Sequence, residues 1–224
     1  MTSIPPKDVS RIYHRRFVRT AEYRSKVWQI LTAGFFSRWI SPEFSVLDLG
    51  CGYGEFINHI TARKKFAIDL NPDVPNFLTR EVVFFHQDCS ARWPLPDDTL
   101  DAVFSSNFFE HLPDKEALNR TLREARRCLK PAGRLIALGP NIKYLHGQYW
   151  DFYDHHVCLT EASLGEAMEL EGYQIEEIVP RFLPFTMVKA PEYPMVFVKL
   201  YIALPWLWWL RGRQFLIVAV KPRI

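Results

Sequence analysis

Three aspartates follow short apolar runs in the first half of this 224-residue chain. Asp48 lies in "VLDLGCGYGEF", Asp69 in "FAIDL", and Asp88 just after "VVFFH". A carboxylate at a strand end can accept from hydroxyls and amino groups or face a cation. Gly50, Gly52 and Gly54 follow the first of them, and such a turn lets a ligand approach the backbone closely.

The spacing of these residues separates two kinds of cofactor. A dinucleotide turn reads G-x-G-x-x-G, and its diphosphate rests on a helix N-terminus. Here the pattern is G-x-G-x-G, and Glu55 stands where the third glycine belongs. A carboxylate at that position opposes a diphosphate. S-adenosylmethionine carries a sulfonium, an ammonium and one carboxylate but no phosphate, so it suits a turn flanked by acids. Asp48 is then placed for the ammonium side. Asp69 comes twenty-one residues later, where a carboxylate can hold a ribose diol. Asp88 can accept from an adenine amino group. Each acid alone reads as a solvated loop residue, whereas three at successive strand ends point to one ligand.

The elements that must position these residues alternate along the chain. Val27, Leu31, Phe35 and Trp39 recur at four-residue spacing and predict an amphipathic helix over 21–40. Strands are expected at 45–49, 66–70, 82–86, 100–107 and 134–139, with "YQIEEIV" and "QFLIVAV" as the last two. Helices are expected at 55–63, 116–130 and 160–173, the last closed by Gly172. This rhythm implies an α/β, doubly wound, mostly parallel sheet. Without internal repeats or a linker, the chain reads as a single domain over 1–224. It divides into an N-terminal helical segment (1–44), a cofactor core (45–140) and an acceptor-side part (141–224).

The segments "VLDLGCGYGEF", "FAIDLNP", "HQDCSARWPLPDDTLDAVFSSNFFEHL" and "EARRCLKPAGRLIALGP" resemble the ordered motifs of class I S-adenosylmethionine-dependent methyltransferases. The resemblance implies a Rossmann-like sheet of seven strands, the last antiparallel, and a helical lid at the N-terminus. It implies that Asp48 and the turn residues Gly50, Cys51 and Gly52 border the methionine part of the cofactor. Asp69 would hold the ribose, with Leu70 beside the adenine. Asp88 and the Cys89 amide would meet the adenine edge, and Asn107 would lie near the methionine part. One departure is Ala132, where the family often has glycine, and little consequence is expected of it. "SSNFFEHL" stands where nucleic-acid methyltransferases carry N-P-P-Y or D-P-P-Y, so a nucleic-acid acceptor is not expected.

Methyl transfer needs aligned reactants and excluded water, and a hydroxyl acceptor also benefits from a general base. The fold implied by the resemblance puts Glu110 and His111 near the transferred methyl. A second cluster, Asp151, Asp154, His155 and His156, lies in the loop after the fifth strand, which commonly closes over the acceptor. His111, His155 and His156 are the candidate bases, with Asp154 an orienter and Glu110 on the acceptor side. These histidines could equally cap a helix or hydrogen-bond within their own loop. The set Asp151, Asp154, His155 and Cys158 matches no strong metal template, and no metal is expected. Tyr13, Arg15, Arg16 and Arg19 could touch an anionic acceptor, or form a solvated helix face.

Charge and composition bear on the partner. Residues 1–40 carry eight Lys/Arg against two Asp/Glu, and 180–224 carry seven against one, around an acidic middle. Basic ends suit an anionic partner such as a phosphorylated substrate or a membrane surface, or are solvated faces. Four separated cysteines without a C-x-x-C pair, and no apolar stretch at the N-terminus, imply a reduced, cytoplasmic chain without a disulfide frame. The apolar run 195–210 holds three tryptophans and is interrupted by Lys199 and Pro205. It suits an interfacial helix on the inner face of the membrane, a homodimer seam or acceptor pocket, or plain core. "AEYRSKVWQIL" with "LPWLWWLRGRQFL" resembles bacterial methyltransferases of surface-polysaccharide synthesis, which implies a glycan hydroxyl acceptor, lipid-linked or nucleotide-linked. The alternatives are C-methylation of a quinone or polyketide ring, and a module that holds cofactor without turnover.

Overall fold

The computed structural model describes Arg11, Arg16 and residues 20–185 and 191–223. Seven strands form one sheet in the order β3-β2-β1-β4-β5-β7-β6. They are β1 (Ser45–Leu49), β2 (Lys64–Asp69), β3 (Val82–His86), β4 (Leu100–Ser106), β5 (Leu129–Pro140), β6 (Gln174–Val179) and β7 (Gln214–Val220). The first five pair in parallel, and β7 runs antiparallel between β5 and β6. The helices are α1 (Ala21–Gly34), α2 (Glu55–His59), α3 (Lys115–Cys128), α4 (Glu161–Leu170), α5 (Met195–Ala203) and α6 (Pro205–Arg211).

The central strand β1 is buried along its whole length, as expected where helices cover both faces of a parallel sheet. Alternation sends Leu47 and Leu49 into one apolar layer and Val46 into the other. The first layer packs under α3 and α4, through Leu118, Leu122, Leu164 and Met168. The second is rich in aromatic rings. Trp28 and Phe36 at the N-terminal end, Phe56 on α2, Phe182 and Trp208 on α6 all meet there. Phe35 stacks on Phe182 with ring centroids 4.5 Å apart, tying α1 to the C-terminal third of the chain.

Local chemistry sets most boundaries. Asp114 caps α3 by accepting from the Ala117 amide at 2.8 Å. Thr160 and Ser163 form a capping box at the start of α4, and Gly172 closes it at a φ of +84°. Several elements end differently from the sequence expectation. The helix expected over 21–40 stops at Gly34, because Phe35 leaves the helical backbone, and Phe36–Arg38 forms a separate 3-10 turn. The helix expected to run to residue 63 ends at His59, because Ile60 turns extended and its side chain enters the core. Strand β5 starts at Leu129, earlier than residue 134, because Leu129 already pairs with Leu100 across an irregularity in the register.

Candidate active site

In an open α/β sheet, ligands bind beyond the C-terminal strand ends where the strand order reverses. Here β1 and β4 lie side by side at that reversal, so the loops after them flank the crevice. The glycine turn follows β1 directly. Gly50, Gly52 and Gly54 have φ of +67°, +52° and +74°, which glycine adopts at little cost. A Cβ on Gly50 would stand 2.2 Å from the Phe108 ring, so the turn and the loop after β4 are in contact.

The acids of the turn are buried. Burial, with Glu55 nearby, pushes the Asp48 carboxyl well above the usual carboxylate range. Asp69 is raised too by burial, partly offset because it accepts from the Asn71 and Gly52 amides, each at 2.8 Å. Its two oxygens therefore shape the turn as well as border the crevice. The Asn71 side-chain nitrogen is buried there without a hydrogen-bond partner. Two buried acids, an unused donor and a left-handed glycine turn fit a ligand that brings both cationic and hydroxyl groups. Asp88 is exposed and accepts from the Ser90 amide at 2.7 Å, while Cys89 is buried behind it. The Leu70 carbonyl is 2.9 Å from His86 Nε2. Arg24 on α1 pairs with Glu55 at 2.7 Å, so the acid expected to repel phosphate is held by the N-terminal helix.

The loop after β4 carries the second group of predicted residues. Asn107 sits at a φ of +51° and donates to Ser106 Oγ and to Gln214 Oε1 on β7. A single 3-10 turn, Phe109–His111, then follows, with Glu110 buried and His111 half-buried. The loop after β5 folds back over this turn, because the His156 and Val157 amides both donate to the Glu110 carbonyl. That brings His155 against His111, with ring centroids 4.9 Å apart. Tyr149 and Phe152 wall the far side of His155, at 4.5 and 4.9 Å.

The charged groups of this cluster act on one another. Burial pushes the Glu110 carboxyl up to about 7, with the His111 charge opposing it. Burial disfavours a charged His111, but the Asp154 hydrogen bond and the neighbouring carboxylates outweigh that and raise it. Its Nδ1 is 2.9 Å from the Asp154 carbonyl and 3.3 Å from the Asp154 carboxylate. Burial also works against the Asp154 charge, yet His111 and Arg16 hold the carboxyl well below the usual range. His155 is lowered to about 3 by burial and by the nearby His111 charge, so it stays neutral.

The structure thus divides the predicted site residues. It brings Glu110, His111, Asp154 and His155 together and links them to Arg16. It separates His156, which is exposed. Asp154 orients His111, not the adjacent His155–His156 pair. Arg16 spends its fork on Asp154. Tyr13, Arg15 and Arg19 lie outside the described residues. The Asp151–Cys158 metal set is not assembled, since the ligand atoms that converge among the described residues belong to Glu110, His111 and His155. Arg24, Asn71 and Gln214 were missed. Only the proximity of Asn71 to Asp69 in "AIDLNP" gave a signal, because Arg24 and Gln214 reach the site from distant segments.

Comparison with known proteins agrees with this arrangement. The family model of the methyltransferase domain matches residues 14–178. An uncharacterised protein of Methanocaldococcus jannaschii is 35% identical over 137 residues, covering 59% of this chain and 56% of that protein. A demethylmenaquinone methyltransferase of Thermotoga maritima is 28% identical over 160 residues, covering 62% and 67%. The matched stretch thus spans 56% to 67% of the length of these two relatives. The crystal structure of a S-adenosylmethionine-dependent methyltransferase from Archaeoglobus fulgidus superposes with a TM-score of 0.67 at 21% identity, covering 92% of this chain and 99% of that one, which shows a shared fold. With a family match over most of its length and the Rossmann-like sheet that the match entails, the chain belongs to the class I S-adenosylmethionine-dependent methyltransferases.

Proposed function

We propose that this protein transfers a methyl group from S-adenosylmethionine to a hydroxyl of a glycan or a similar small acceptor. The carrying observation is the buried cluster of Glu110, His111 and His155, one loop away from the glycine turn. A hydroxyl acceptor must give up its proton on methylation, and the lone pairs of this cluster can receive it. The cluster sets a carboxylate and two imidazoles in a largely apolar wall, where they can engage and activate such a group.

The cofactor brings a methyl group on a sulfonium, and the residues present fit it. Asp48 would take the ammonium side and Asp69 the ribose. Asp88 and the Cys89 amide would meet the adenine edge with Leu70 beside it, and Gly50, Cys51, Gly52 and Asn107 would border the methionine part. Asp154 and Arg16 hold His111 in place, and the loop after β5, which folds back over the Phe109–His111 turn, would exclude water from the reacting groups. Both effects help by holding the reacting atoms in line.

The C-terminal helices support a contact with a lipid surface. Val196, Phe197, Leu200, Trp206, Trp209 and Leu210 are exposed on α5 and α6, with Lys199, Arg211 and Arg213 in the same segment. Tryptophan beside arginine suits the headgroup level of a membrane. No described helix is long and apolar enough to cross one. Peripheral binding through 195–213 would bring a lipid-linked glycan within reach, on the cytoplasmic face that four unpaired cysteines suit. A second reading, C-methylation of a quinone ring, draws on the Thermotoga relative and the same apolar face.

The test is incubation of the purified protein with methyl-labelled S-adenosylmethionine and an extract of its own cells, followed by separation into lipid and aqueous pools. Label that alkaline or acid hydrolysis returns as a sugar methyl ether supports the proposal. Label on a quinone ring establishes the second reading. Cofactor binding with no labelled product in either pool leaves a module without turnover.

A further inference from the structure

Two roles compete for the Glu110–His111–His155 cluster. A proton-accepting pair needs only Glu110 and His111 and leaves His155 without a purpose. Yet His155 is the residue whose placement is hardest to explain by packing. It is 8% exposed, and its Nδ1 is fully buried with no hydrogen-bond partner. An unpaired polar atom in such a place costs about 1–3 kcal/mol. Loop residues rarely keep such a group unless something satisfies it.

The geometry points to a cation. We propose that Glu110, His111 and His155 bind one divalent first-row transition ion, whose open coordination positions take hydroxyl oxygens of the acceptor. One ligand atom from each residue lies within 4.8 Å of the other two. Donors around a zinc-sized ion stand within roughly 4.4 Å of one another, so a small rotamer shift closes the site. The partners behind the ligands are also those a metal site needs. A metal-bound imidazole donates its second nitrogen to a carbonyl or carboxylate, which fixes its tautomer. His111 Nδ1 meets both the carbonyl and the carboxylate of Asp154, leaving Nε2 as the lone pair. Arg16 grips that carboxylate with two bonds. The Tyr149 ring lies 4.5 Å from the His155 ring, and the Phe152 ring stacks on it at 4.9 Å.

The donor set selects the ion. Two imidazoles and one carboxylate suit zinc, manganese or iron(II), whereas calcium and magnesium prefer all-oxygen shells. Three protein ligands leave room for one or more further oxygens. The acceptor-hydroxyl part of the inference rests on the methyl-transfer reading, but cation binding does not.

Cobalt(II) alone is the probe, titrated into the untagged, chelator-treated full chain. S-adenosylhomocysteine binding is measured in parallel by calorimetry as a check on folding. The expected result is one cobalt per chain with a visible d–d band, weakened at least 100-fold in Glu110→Gln, His111→Asn and His155→Asn. His146→Asn, a change at an exposed histidine, leaves it unaltered. Variants that bind S-adenosylhomocysteine like the parent protein but lose cobalt support the site. Substoichiometric cobalt binding by the parent protein, or unchanged binding in the three variants, overturns it. If the parent binds S-adenosylhomocysteine and no cobalt, the cation falls and the methyltransferase reading stands. If cobalt binds and S-adenosylhomocysteine does not, the cation site stands and the proposed methyl transfer falls.

Discussion

Arg16 closes on both oxygens of Asp154, at 2.9 and 2.6 Å, across 138 positions of chain. The guanidinium also lies 4.9 Å from the centre of the Phe152 ring. The pair fastens the N-terminal segment to the loop after β5 and, through Asp154, orients His111. Arg16→Ala is expected to lower stability by about 1.5–3 kcal/mol, the range for hydrogen bonds to charged groups. Arg16→Lys should recover less than half of that, since an ammonium cannot bite both oxygens. Denaturant unfolding of the two variants decides the point, and equal stability of both with the parent would discard it.

Asp48 makes stability depend on pH in an unusual direction. Its pKa is higher in the folded chain than in the unfolded one, so the folded state binds the extra proton between those two values. Stability of the cofactor-free protein therefore falls as pH rises from the ordinary carboxylate range through the raised value. A cationic ligand favours the charged carboxylate, so stabilisation by S-adenosylhomocysteine, which keeps the ammonium, grows with pH over the same window. Melting temperatures measured across pH, with and without this ligand, test both slopes. Asp48→Asn should make both slopes shallower, leaving the part that the raised Asp69 and Glu110 carboxyls contribute.

Ala132 marks a place where one residue type resists its backbone. It sits at a φ of +67° near the start of β5, opposite the irregularity in its register with β4, and its amide donates to the Lys221 carbonyl at 2.8 Å. The left-handed region costs an L-residue about 1–2 kcal/mol. Glycine is free of that strain but loses more entropy on folding, by about 0.5–1 kcal/mol. Ala132→Gly is expected to stabilise the protein by about 0.5–1 kcal/mol, read as a small rise in melting temperature with cofactor affinity unchanged. A fall in melting temperature would show that the loop has relaxed around the methyl group.

The three tryptophans of α6 should behave differently. Trp208 is buried, packs edge-on against Phe35 and Phe182, and donates to the Tyr201 carbonyl at 2.7 Å. Trp208→Ala should cost about 3–5 kcal/mol. Trp206 and Trp209 are 60% and 68% exposed. Changing both to serine should leave stability within about 0.5 kcal/mol and abolish co-sedimentation with anionic lipid vesicles. If the double variant still binds vesicles, the lipid contact lies elsewhere.

Much of this protein is legible in its residues. Apolar runs bounded by proline and glycine place the strands, and four-residue spacing finds α1 though not its end at Gly34, because secondary structure must expose one periodic face to a core. The acids at three strand ends and the glycine turn are local in sequence, so the proposed cofactor cradle can be read without a structure. Ala132 can be flagged as a departure, but its strain shows only once φ is known.

What only the tertiary structure decided is the company each side chain keeps. The sequence offers His155 and His156 as equals, and Arg16 as a free cation. Folding separates the two histidines because the Glu110 carbonyl takes both amides after His155, burying one ring and leaving the next outside. It turns Arg16 into the clamp on Asp154 and brings Gln214 to Asn107 from the far end of the chain. Such pairings join segments about forty to more than a hundred residues apart, and no periodicity records them. They are fixed by how strands pair across the sheet and by the need of buried polar atoms for partners.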